Sequence, residues 1–370
     1  MEIRTVALLV DDMGGGGAAR VAAHLSAAWA AMGRKVTIVT NGDGRTPSPY
    51  SLDPRVDHLP LALQSVSSNP LAAAWTNFRR LARMRRAIRS IRPDLIVSFL
   101  DTINVKCLLA TCGLGIPTVV SERTDPHGRP IGFAWAALRT LTYPWSGGLV
   151  VQSRHALSFF PPRVRAKGVV IPNPVLPVPA VAPGPGRNRL AVVTLGSLRA
   201  VKGHDQLIEA FALIADRFPL WDLWIHGEGP ARQQLEEQVR ALALESRVHL
   251  PGNTTEAVAR LREADLFVLP SRVEGFPNAL AEAMACGLPV VSFDCESGPA
   301  DLIRPGVDGM LVPPGDIPML SRAMAWLMGD PEARSRLAAR APEVVQRFSP
   351  EKVLRLWEEA MQRAAVSRRA

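Results

Sequence analysis

The chain has 370 residues, 47% of them hydrophobic and 21% charged, a composition that excludes a disordered or fibrous protein. A chain this long exceeds what one core usually organises, so two domains are expected. The net charge of +9 is uneven: residues 1–185 carry 21 Lys and Arg against 10 Asp and Glu, a net of +11, while residues 186–370 carry 22 against 24, a net of −2.

The N-terminal apolar run Thr5–Val10 is too short for the core of a secretion signal and leads straight into glycines. No segment approaches the ~20 apolar residues of a membrane span; the longest candidate, Ile131 to Val151, is broken by Arg139, Pro144 and two glycines. Cys107, Cys112, Cys286 and Cys295 lack the C-x-x-C spacing of a zinc or redox site. They read as reduced thiols serving as small hydrophobes, which points to a cytoplasmic protein, soluble or peripheral.

In chain order, Thr5–Val10 reads as a buried strand. The glycine loop Gly14–Gly17 follows, then a helical pattern that stops at Gly33. "KVTIVT", "DLIVSF", "PTVVS" and "GLVVQS" repeat the strand pattern with turn or helix signals between them, which predicts a parallel sheet covered on both faces. Pro172–Arg187 ("PNPVLPVPAVAPGPGR") cannot form a helix or a central strand and reads as a linker. Six further strand-like runs then alternate with helical ones. The predicted class is α/β, with one Rossmann-like domain over 1–178, a second over 186–348, and a C-terminal helix over 349–370 that can pack back on the first.

Three constellations carry chemistry. The loop around Gly15 and Gly16 follows a strand and opens a helix, a place where backbone N–H groups face an anion. It has no carboxylate near twenty residues on, before Asp43, which argues against a nicotinamide site. In the second half, Arg199 and Lys202 sit on a turn between strand and helix, suited to a diphosphate; the plainer alternative is a solvated charged turn. Glu274 and Glu282 flank the start of a small-residue helix after the strand ending in "VLPS". Free N–H groups there suit phosphate, and the two acids suit hydroxyls on either side of it. That pattern describes a nucleotide sugar. The alternative makes Glu274 a cap and Glu282 a surface residue.

The motifs "GSLRAVKG", "GEGP", "RVHLPG" and "EGFPNALAEAMACGLPVV", in this order, resemble those of the retaining glycosyltransferase family 4. The resemblance covers nearly the whole chain and implies the GT-B fold, two Rossmann-like domains facing across a cleft. It implies that Glu274 meets the donor sugar, Glu282 the nucleotide ribose and Lys202 the diphosphate. The family often has arginine directly after the first glycine, where this chain has Ser197; Arg199 is the proposed substitute. The donor set expected from these motifs is Gly196, Ser197, Lys202, Gly227, Val248, Glu274, Gly275, Phe276, Asn278, Ala279 and Glu282, together with Gly15 and Gly16 of the first loop. Val248 and its neighbours are expected to read the base, held largely by backbone groups, with UDP preferred. No D-x-D-like cation site is evident, so no metal is expected.

"VSFLDTINV", "VVSERTDP" and "YPWSGGLVVQS" look like the bacterial transferases that extend undecaprenyl-pyrophosphate-linked glycans. Many family members place a histidine in the loop matching "SERTDP". Here His127 lies beyond it, so a catalytic histidine does not carry over, and Glu122 either orients an acceptor hydroxyl or pairs with Arg123.

Seven arginines from Arg79 to Arg92, with no acid before Asp94, alternate with an apolar stripe, making a basic amphipathic helix. Arg79, Arg80, Arg83 and Arg86 are expected to face an anionic membrane, unless the helix is an ordinary sheet cover with a solvated face. The expected activity is transfer of a hexose or N-acetylhexosamine from a UDP-sugar to a lipid-linked glycan, on the inner face of the cytoplasmic membrane. No nucleic-acid partner is expected. The rival reading is a nucleotide-sugar epimerase or hydrolase of the same architecture.

Overall fold

The computed structural model describes residues 2–45, 48, 50–63, 70–128, 130–178 and 189–366, with the side chains of 70–75 excepted. The chain divides into two compact units, Met1–Asn173 with Glu351–Ala370, and Pro174–Pro350. Part of the Pro-rich segment read as a linker, 179–188, lies outside the described residues.

In the first unit, uninterrupted apolar runs make a parallel sheet buried on both faces. Its strands are β1 (Thr5–Val10), β2 (Lys35–Thr40), β3 (Val56–Pro60), β4 (Leu95–Phe99), β5 (Thr118–Ser121), β6 (Gly148–Val151) and β7 (Gly168–Val170). Their order is β3-β2-β1-β4-β5-β6-β7, and every pair is parallel. β1 is the switch point, with its sequence neighbour β2 on one side and β4 on the other.

The helix Pro350–Val366 belongs to this unit. Its buried stripe Val353, Trp357, Met361 and Ala364 recurs every three to four residues, as an amphipathic helix requires. Trp357 is fully buried against Trp29 and Phe99, with ring centroids 6.4 and 5.7 Å away. Arg34 donates to both carboxylate oxygens of Glu358, at 2.6 and 2.5 Å. Burying a ring of that size is worth about 2–3 kcal/mol, so this helix is a structural member of the unit.

The second unit repeats the plan with β8 (Leu190–Leu195), β9 (Trp221–His226), β10 (Val248–Gly252), β11 (Leu266–Leu269), β12 (Val290–Phe293) and β13 (Met310–Val312). The order is β10-β9-β8-β11-β12-β13, again parallel throughout. The units share one device at corresponding places. Asp94, before β4, accepts from the N–H groups of Arg4 and Thr5 at 2.9 and 2.8 Å, and Asp265, before β11, accepts from that of Ala191 at 2.8 Å. Each aspartate satisfies donors at the amino end of the switch-point strand. The opposite, carboxyl ends are where doubly wound sheets bind ligands.

Candidate active site

At the second unit's switch point, the chain leaves β8 toward β9 while β11 lies on the other side of β8, so the loops after β8 and β11 border one crevice. The first loop carries Lys202 and the second Glu274, and the fold brings them together across 72 residues. Lys202 Nζ donates to Glu274 Oε1 at 2.6 Å, and Ser271 Oγ donates to the same oxygen at 2.7 Å. The Glu274 side chain is 8% exposed and that of Lys202 27%. Carboxylates removed from water need this kind of compensation, because an isolated buried charge costs several kcal/mol.

The two loops are clamped by further contacts. Arg272 donates to both oxygens of Asp205, at 2.9 and 2.7 Å, and its backbone N–H donates to Val201 O at 2.9 Å. Gly203 ends the Lys202 turn with φ +67, and a Cβ there would collide with the Pro270 carbonyl. Gly227, at φ +157, lies so close to the Gly196 carbonyl that a Cβ would collide with it too. These two positions need glycine for space as well as conformation. His204, next to the Lys202 turn, is buried, and that burial pulls its pKa down to about 4, so the helix His204–Ala212 starts with a neutral imidazole.

Beyond Glu274, the helix Asn278–Ala285 has neither a side-chain cap nor an acid in its first turn, so its first-turn amides are oriented donors for an anion. Phe276 anchors the turn by packing edge-on against Phe348, centroids 6.0 Å apart, and Ser297 Oγ donates to Gly275 O at 3.3 Å. Asn278, Ala279 and Glu282 are half-buried along this helix. Cys295 is buried nearby; burial, with Glu274 beside it, pushes its thiol up to about 12, so it stays neutral. Arg199 and Ser197 are exposed on the β8 loop. The Val248 side chain is buried in the core on β10, which leaves only backbone groups there to meet a base.

Two family models match the chain: "Glycosyl transferase 4-like domain" over residues 16–174 and "Glycosyl transferases group 1" over 183–344. The chain belongs to the family 4 glycosyltransferases. It is 31% identical over 311 residues to an exopolysaccharide phosphotransferase of Streptomyces coelicolor, covering 80% of this chain but 32% of that relative, so it spans about a third of that protein's length. It is 25% identical over 285 residues, 76% of this chain and 78% of the relative, to a Campylobacter jejuni enzyme named as an N-acetyl-D-galactosaminyltransferase acting on an undecaprenol-PP-linked glycan. The Anabaena protein HepE, solved with UDP and glucose, shares the fold with a TM-score of 0.80 at 18% identity, covering 98% of this chain and 100% of that one. The fold is GT-B, built from two Rossmann-like domains.

In the first unit of the glycosyltransferase, Gly15, on the loop after β1, and Gly16, the first residue of the helix Gly16–Ala31, are exposed at φ +140 and +86, with open space where a Cβ would be. Neither reading of Glu122 fits the structure. It is 2% exposed, accepts from the Tyr143 hydroxyl and lies 3.9 Å from Arg139, so it faces packing rather than an acceptor hydroxyl. Burial raises its pKa to about 7, against the pull of Tyr143 and Arg139. Arg123 does not pair with it: the guanidinium donates to Asn173 and stacks over Phe99 at 5.0 Å. Burial lowers the Arg123 pKa to about 9, which leaves it cationic at neutral pH.

The basic helix Pro70–Ile91 divides its arginines by role. Arg79, Arg83, Arg86 and Arg89 are exposed, and Met84 and Ile88 are buried beneath them. Arg85 caps the neighbouring helix, donating to Ala110 O and Cys112 O at 2.7 Å each. Arg80 lines a cavity of about 700 Å³ whose walls include Leu81, Met84, Leu109 and Leu138. Lys106 enters the same cavity with its ammonium 5.3 Å from the centre of the Trp135 ring. Lys106 and Trp135 are not marked by the sequence, because a lone residue on a helix carries no motif; only their convergence on this cavity marks them.

Among the described residues, no helix is long and apolar enough to cross a membrane, and all four cysteines are free thiols.

Proposed function

We propose that the enzyme moves a hexose or N-acetylhexosamine from a UDP-sugar to a polyprenyl-pyrophosphate-linked glycan, with retention at the anomeric carbon, in bacterial surface polysaccharide or glycan assembly. The observation that carries this reading is the meeting of Lys202 and Glu274 in the switch-point crevice, next to the uncapped start of the helix Asn278–Ala285. A diphosphate there shares Lys202 with Glu274 and takes the first-turn amides, with Arg199 within the same loop. Glu274 turns toward the sugar hydroxyls and Glu282 toward the ribose.

In the transfer, the bond from the anomeric carbon to the diphosphate oxygen breaks. The acceptor hydroxyl bonds to the same face of that carbon, and its proton passes to the departing phosphate. The charge developing on the diphosphate meets Lys202, Arg199 and backbone amides already in place, the kind of preorganised electrostatics that lowers such barriers most. No metal is assigned to this step.

The acceptor reading rests on the first unit. A phosphate group of a lipid-linked glycan suits Arg80 and Lys106, and an isoprenoid chain suits the apolar walls of the cavity they share. Arg79, Arg83 and Arg86 face outward, so an anionic bilayer is their natural partner, and the enzyme works at the inner face of the cytoplasmic membrane. The Campylobacter relative is named for a polyprenyl-pyrophosphate glycan acceptor, which supports the same class here. Incubating the protein with a panel of nucleotide sugars and polyprenyl-pyrophosphate glycans tests the whole reading. Transfer from a UDP-sugar supports it, and release of free sugar with no acceptor extended favours a hydrolase.

A further inference from the structure

We infer that Asp125, His127 and His155 form a binding site for a divalent transition metal of the zinc class, in the first unit and independent of the donor crevice chemistry. Asp125 and His127 lie in the segment after β5, and His155 lies in the first turn of the helix Arg154–Ser158 after β6. β5 and β6 are adjacent and parallel, so their carboxyl-end loops meet.

One ligand atom from each of the three side chains lies within 4.8 Å of the other two. Asp125 Oδ2 and His155 Nε2 are 3.5 Å apart, close to the ~3.3 Å edge of a ligand tetrahedron built on metal bonds of about 2.0–2.1 Å. The imidazole centroids are 4.4 Å apart and the rings tilted by 41°, so they converge without stacking flat.

The surroundings hold these groups as ligands are usually held. Asp125 is 3% exposed, and its Oδ1 accepts from the backbone N–H of His127 at 3.1 Å, leaving Oδ2 directed at His155. Ser158 Oγ donates its one proton to His155 O at 2.6 Å, so in its 3.3 Å contact with His127 Nε2 the serine oxygen accepts. That arrangement leaves the lone pair of neutral His127 on Nδ1, available to a metal. Phe159 meets the His127 ring edge-on, centroids 5.1 Å apart, which further limits its rotation. His127 itself is exposed, so an ion reaches the site from solvent.

Two imidazoles and one carboxylate, with a fourth position for water, select Zn²⁺, Co²⁺ or Ni²⁺ over Mg²⁺ or Ca²⁺, which prefer oxygen-only shells. A bound ion ties the ends of two neighbouring strands and stabilises the loop carrying Glu122 and Arg123.

The test uses tag-free full-length protein stripped with chelator, then titrated with Zn²⁺ by calorimetry and with Co²⁺ by visible absorption. One ion per chain is expected, with a tetrahedral cobalt spectrum and a raised unfolding temperature. His127→Ala, which alters an exposed residue, should bind roughly tenfold or more weakly and lose the cobalt spectrum. Ser158→Ala should weaken binding by about tenfold through ring orientation alone. His249→Ala, in the other unit, should bind as the parent does. Absence of stoichiometric binding by the parent, or equal binding and spectra in His127→Ala, would overturn the site.

Discussion

Lys202 and Glu274 form a 2.6 Å ion pair between the loops that follow β8 and β11, with Ser271 donating to the same glutamate oxygen. The pair holds a cation and an acid side by side at the sheet's switch point, the pairing that the proposed diphosphate and sugar hydroxyl of a donor would divide between them.

Glu282→Ala should weaken UDP and UDP-sugar alike, because a ribose is common to both. Glu274→Ala should leave UDP binding nearly unchanged and impair the intact donor and its turnover. Calorimetric titration separates the two, and unchanged UDP binding in Glu282→Ala would remove the ribose assignment.

Gly203→Ala places a Cβ against the Pro270 carbonyl at a residue with φ +67. The backbone at both places must shift, a cost on the order of 3 kcal/mol, and the Lys202 turn shifts with it. Chemical denaturation should show the loss, and donor affinity should fall in the same variant. An unaffected midpoint would mean that the two loops are free to separate.

Glu122 gives the first unit a pH dependence of defined sign. Its folded pKa of about 7 lies above the unfolded value of about 4.3, so the stability it contributes is fully present below pH 4.3 and is lost as pH rises through 7. The span amounts to about 3–4 kcal/mol at most. Glu122→Gln keeps an acceptor for the Tyr143 hydroxyl and should flatten this part of the profile between pH 5 and 8. Equal slopes for parent and variant would place the titration elsewhere.

Replacing Arg79, Arg83 and Arg86 by Gln should reduce binding to anionic liposomes and turnover of lipid-linked acceptor, with UDP binding intact. Added salt should mimic the variant in the liposome assay, since surface charges are screened beyond about 8 Å at physiological ionic strength. Arg85 is excluded from the set because it caps a helix. Undiminished liposome binding by the triple variant would return this helix to the role of a sheet cover.

The strand runs were legible because parallel strands buried on both faces leave continuous apolar segments, and TVALLV and DLIVSF became β1 and β4 with little adjustment. Lys202 and Glu274 were legible as members of motifs, but their contact is a property of sheet order, which the sequence does not spell out. Val248 was legible only as part of a motif, since backbone contacts to a base leave little trace in side-chain identity. Glu122 was left between an acceptor hydroxyl and Arg123 because its partner Tyr143 lies 21 residues on, and a motif that contains a tyrosine does not say which residue its hydroxyl meets. The Asp125, His127 and His155 cluster escaped notice for a similar reason, since its members come from two loops that only the pairing of β5 with β6 brings together.

The most direct test of the central claim is the rate of sugar transfer by Lys202→Ala, measured at saturating donor, with circular dichroism confirming the fold. Removing one preorganised partner of the departing diphosphate should lower kcat by about 10²–10³, or roughly 3–4 kcal/mol of barrier, while omission of Mg²⁺ leaves the parent's rate unchanged. A Lys202→Ala enzyme that turns over at the parental rate, or a parent that is inactive without Mg²⁺, would contradict the account.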